Sequence, residues 1–85
     1  MTGDELQYFY YKFVGYYKAN KEYLEELKQG LPELKENCKN FKNTILSDNY
    51  NKELKNRKES IQRLTYEVNF MERLITEYGR KEDLV

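Results

Sequence analysis

The 85-residue chain offers few places for chemistry to start. It contains no histidine, which removes imidazole bases, Ser-His and Cys-His nucleophile pairs and histidine ligands for zinc. Its single cysteine, Cys38, falls on an apolar stripe, where the expected role is that of a small buried hydrophobe. Gly3, Gly15, Gly30 and Gly79 are scattered and form no phosphate-binding loop. Carboxylate pairs such as Glu25 with Glu26, or Glu72 with Glu77, have the right chemistry to share a proton or a cation. Lys28 and Arg73 stand beside them, so solvated surface charge is the expectation. The sequence predicts no catalytic residue, metal site or cofactor, and hence no enzyme.

Recognition chemistry is better supplied. Nine tyrosines and four phenylalanines make up 15% of the chain, and they concentrate between Gln7 and Tyr17. Tyrosine combines a large contact area with a polar tip and loses little side-chain entropy on docking, which suits it to interfaces. On a helix, Phe9, Tyr10, Phe13, Tyr16 and Tyr17 fall on the inner arc, whereas Tyr8, Tyr11 and Val14 fall outside it. Further along, Tyr66, Phe70 and Leu74 form a line at four-residue intervals. Tyr8, Tyr11, Val14, Tyr66, Phe70 and Leu74 are therefore the predicted partner-binding residues.

A second recognition chemistry competes with this. Lys35, Lys39 and Lys42, followed by Lys55, Lys58 and Arg63, gather positive charge in the middle of the chain, as a phosphate-binding surface would. Tyr11, with Lys18 one heptad away, has the ingredients to stack a base and neutralise its phosphate. Glu36, Glu53 and Glu59 dilute the basic stretch, and no helix-turn-helix, zinc-finger or RNP pattern is visible. Binding of nucleic acid, or sequestration of nucleotides, is the alternative reading.

These residues need helices to position them. Between Tyr50 and Tyr78, Leu54, Ile61, Val68 and Ile75 form one seven-residue series, and Leu64, Met71 and Tyr78 another. Only Arg57 interrupts the second series. This spacing predicts a long helix, about 50–78, with a coiled-coil-like heptad seam. Upstream, Leu6, Phe13, Leu27, Leu34 and Phe41 recur in sevens, broken by Asn20; Tyr10, Tyr17, Leu24, Leu31, Cys38 and Ile45 run alongside, and Phe9, Tyr16 and Tyr23 form a third series. Helices over about 4–29 and 32–46 follow, with Thr2 or Asp4 as N-cap.

Pro32 lacks an amide proton, so the first helix must kink or end near Gly30. The apolar phase persists through Leu27, Leu31, Leu34 and Cys38, which favours a kink. Ser47-Asp48-Asn49 supplies turn residues, placing the reversal near Asp48 and Tyr78 opposite Lys18. The fold class is thus all-α in a single domain, 1–85: a kinked antiparallel helical hairpin or a three-helix bundle. The first dozen helical residues overhang in the hairpin, so the aromatic surface predicts a homo-oligomer or a covering partner. The tail after Gly79 is expected to fray.

Composition sets the outer limits. Fifteen basic and fifteen acidic residues cancel, although residues 35–63 carry +4 and the segments on either side −2 each. No apolar run approaches the roughly 20 residues needed to cross a bilayer. Asp4 and Glu5 stand where a secretory signal carries positive charge, and a lone cysteine suits a reducing compartment, so a cytoplasmic location is expected. In its Tyr-, Lys- and Asn-rich helical style the chain resembles accessory proteins of mobile elements and bacteriophages. The functional expectation is a non-enzymatic adaptor, inhibitor or assembly factor that presents an aromatic helical face to a larger protein.

Overall fold

Thr2 opens the first helix. Its hydroxyl accepts the amide proton of Glu5 at 3.2 Å, and Asp4 and Glu5 lie in the first turn, where the helix dipole favours negative charge. In this computed structural model, which describes residues 2–84, helix α1 then runs from Gly3–Asn40 without interruption. Pro32 lies inside it. An interior proline costs about 3 kcal/mol in helix propensity. Leu27, Leu31, Leu34 and Cys38 stay in phase on either side of it and are all at least partly buried, and that packing outweighs the loss. The three-helix alternative is therefore not formed, because Gly30 to Pro32 does not reverse the chain.

Helix α1 ends at Asn40, short of the expected boundary near residue 46. Asn43 adopts a positive φ of 66°, which asparagine tolerates better than most residues and a helix does not. Local bonds then replace the helical ladder: the Thr44 amide and hydroxyl both donate to the Phe41 carbonyl, at 3.2 and 2.6 Å, and the Leu46 amide donates to the Thr44 hydroxyl at 3.3 Å. The apolar series continues through Ile45, yet Ile45 is almost fully exposed. Helix α2 starts at Ser47 and extends to Tyr78, so Ser47-Asp48-Asn49 forms its first turn and not the loop.

The earlier reversal changes the pairing. Cys38 donates its thiol proton to the Tyr50 carbonyl, Gly30 lies against Arg57, Asn20 meets Met71 and Tyr17 meets Glu72. These pairs centre the turn near Thr44, so Tyr78 lies near Phe9 and Phe13 and not opposite Lys18. The expected overhang of a dozen residues shrinks accordingly. The result is a rod of 60 × 22 × 14 Å, two helices wide.

Its core is a single seam. Val14, Tyr17 and Leu24 of α1 pack with Leu64, Val68 and Ile75 of α2, flanked by Tyr10, Phe13, Leu27, Ile61 and Met71. The α2 contribution follows the predicted seven-residue series, with Tyr78 the exception, since it is mostly exposed. Arg57, the polar member of that series, lies over Gly30 and forms an ion pair with Glu53 at 3.8 Å.

The tail does not fray. After the C-cap Gly79, Lys81–Leu84 forms a 3-10 turn that folds back on α1, and Leu84 packs on the core. Tyr10 donates its hydroxyl to Asp83 Oδ2 at 2.6 Å and accepts the Arg80 amide at 2.9 Å. Gly79 is required for this approach, because a Cβ there would stand 2.8 and 2.9 Å from the Cε2 and Cζ atoms of Tyr10.

Candidate interaction face

The two long sides of the hairpin differ. One carries the tail: Leu84 lies beside Lys18 and Lys21, on the side of α1 to which Val14 belongs at four- and seven-residue spacing. Val14 is 6% exposed and belongs to the core cluster on which Leu84 packs. Its predicted place outside the inner arc is corrected: Val14 packs in the core with Tyr17, Leu24, Leu64, Val68 and Ile75.

Tyr11, also on the tail's side, is exposed but engaged. Its hydroxyl accepts from Gln7 and from the Arg80 guanidinium, both at 3.3 Å, and that guanidinium lies 5.8 Å from the ring centroid. The donated hydrogen bonds, chiefly from Arg80, hold the Tyr11 phenol below the usual tyrosine value and push the Arg80 guanidinium up. One face of the ring that would stack a base therefore already carries a cation.

The other side is open. Phe9, Tyr16 and Tyr23, expected on the inner arc, are instead more than half exposed. The Tyr10/Phe13/Tyr17 seam turns toward α2 and leaves this third series on its flank. Across from it, Leu74 and Tyr78 of α2 meet Phe9 and Phe13 to line an apolar groove of about 380 Å3, floored by Tyr10, Ile75 and Gly79. The predicted line on α2 continues this surface: Leu74 is half-buried at the groove, Phe70 is 43% exposed, and Tyr66 is largely in solvent. Arg73 lies 5.3 Å from the Phe70 ring, a cation-π distance at the patch edge. Tyr8 is exposed and carries Lys12 at 5.1 Å.

The structure thus brings Leu74 together with Phe9 and Phe13, whose part in an open groove the sequence did not reveal, and leaves Phe70 with Tyr66 and Arg73 in a separate depression. The missing signal was the register of the hairpin, which decides whether an inner-arc aromatic meets a neighbour or solvent.

The basic candidates lie toward the turn end. Lys35, Lys39, Lys42, Lys55, Lys58 and Arg63 are all exposed. Lys55 and Lys58 line a shallow depression with Glu59 and Leu54, so negative charge sits within the basic surface. Among the described residues, no group of three His, Cys, Asp or Glu side chains is gathered to hold a metal ion, and no helix is long and apolar enough to cross a membrane. Compared with models of known protein families, with characterised proteins and with solved structures, the chain matches none.

Proposed function

We propose that this small all-helical protein acts by binding other proteins, as an adaptor, inhibitor or assembly factor, through the open aromatic side of its hairpin. The observation that carries the reading is the open side of the rod, which leaves Phe9, Tyr16, Tyr23, Phe70 and the Leu74 groove uncovered, whereas the tail packs along part of the other side. Monomeric soluble proteins seldom leave a contiguous apolar patch bare unless it meets a partner. The groove offers a partner helix a place to insert an apolar ridge, the usual way helices recognise one another.

The test is retention of a specific protein from the host by immobilised wild-type chain, compared with two sets of variants. Phe70→Asp or Leu74→Asp should abolish retention, while Lys55→Glu with Lys58→Glu should leave it intact. Retention that survives both face variants, or that depends on the lysines and falls steeply with salt, refutes the reading.

A further inference from the structure

Building on that reading, we propose that the open side is half of a symmetric interface whose other half is a second copy of this chain. The patch holds both shapes that a two-fold contact requires. Tyr66, Phe70, Leu74 and Tyr78 recur every four residues along α2 and form a ridge, and the groove between Phe9, Phe13, Leu74 and Tyr78 lies beside it. A two-fold axis across the rod places each copy's ridge on the other's groove, which is the self-complementarity an isologous interface needs.

The area is also sufficient. Phe9, Tyr16, Tyr23, Tyr66, Phe70 and Tyr78 expose between 43% and 82% of their surface. At roughly 60% of about 200 Å2 each, these six supply on the order of 700 Å2. Phe13 and Leu74 are only partly buried and add to this, bringing each copy close to the ~800 Å2 that a partner contributes to a standard stable interface.

Net charge opposes the pairing only weakly, at −2 on the meeting segments of each copy. The segments that meet, residues 1–24 and 64–79, together hold four basic and six acidic side chains, and the +4 of residues 35–63 stays at the outer ends. The assembly is a four-helix arrangement through the terminal halves, with the two turns pointing away from each other. It also supplies the second layer that a rod only 14 Å thick lacks.

Light scattering across a concentration series of the full chain tests this. The expected mass is twice 10.4 kDa, reduced twofold by Phe70→Asp or Leu74→Asp with the helical circular dichroism unchanged. Lys55→Glu with Lys58→Glu should keep the doubled mass. Tyr16→Glu and Tyr78→Glu alter mostly exposed side chains, so they repeat the test without touching the hairpin's core. A wild-type monomer at every concentration overturns the second copy. If that monomer still loses a foreign partner on Phe70→Asp, the interaction reading stands without it. A doubled mass that survives all four face variants overturns the choice of face.

Discussion

Tyr10→Phe isolates the bond that ties the tail to the first helix. The substitution keeps the ring on the core and removes one oxygen, which both donates to Asp83 at 2.6 Å and accepts the Arg80 amide at 2.9 Å. A hydrogen bond to a charged group contributes about 1.5–3 kcal/mol, and a neutral one about 0.5–1.5. Tyr10 is half-buried and the Asp83 side chain is 18% exposed, so water recovers part of each loss. The Arg80–Asp83 ion pair at 3.4 Å remains. The net effect on tail closure should be about 1–2 kcal/mol, a factor of roughly 5–30 in the opening equilibrium. Native-state hydrogen exchange reads this directly. The Arg80 amide loses its acceptor, and the Asp83 amide, which donates to the Arg80 carbonyl at 3.0 Å, should exchange faster with it. Amides of Leu64 and Val68, within α2, should be unchanged. If Arg80 and Asp83 keep wild-type protection in the variant, the tail is held by Leu84 packing and the Arg80–Tyr11 contact without the Tyr10 hydroxyl, and the reasoning is wrong.

Pro32→Ala restores a backbone donor on an exposed helical position and should raise stability by about 1–3 kcal/mol in urea unfolding. Gly15→Ala meets no atom within 4 Å of the new Cβ and should add about 0.5–1 kcal/mol, seen as a higher urea midpoint with unchanged slope. Tyr11 should ionise below the usual tyrosine value in a phenolate-absorbance titration, because the hydrogen bond from Arg80 stabilises the anion, and Tyr11→Phe should delete that step. A folded-state pKa below its unfolded value makes the contact with Arg80 strengthen as pH rises through the lowered value toward 10. If tail protection falls over that window, the assignment is refuted.

The second helix was legible because its apolar residues obey one period over many turns: Leu64, Val68 and Ile75 sit where the spacing puts them. Phase across Pro32 was legible for the same reason. The turn was not, because Thr44-Ile45-Leu46 prolongs the apolar pattern while Asn43 breaks the backbone, and period outvoted conformation in the reading. That displaced the hairpin register and with it the exposure of Phe9 and Tyr16. The tail was invisible to periodicity altogether. Four residues contain no repeat, and their anchor, Tyr10, lies 73 positions from Asp83. Of the predicted interaction residues, Leu74 lines the groove, Phe70 and Tyr66 line a separate depression on α2, Val14 is buried in the core, and Tyr11 is tied to Arg80.

The stacked rings of Phe41 and Tyr50, 5.1 Å apart beside the turn, give the molecule a natural starting clasp. Joining Cys38 to Tyr50 closes a span of 12 residues, whereas joining Tyr10 to Asp83 closes 73. The logarithmic cost of loop closure makes the longer span about 1.5 kcal/mol harder to form first. The hairpin should therefore assemble like a zipper from the clasp toward the termini and open in the reverse order. Amides near the tail should exchange before those flanking Leu34, and the reverse ranking would exclude such a mechanism. The groove between Phe9, Phe13, Leu74 and Tyr78 should thus form last.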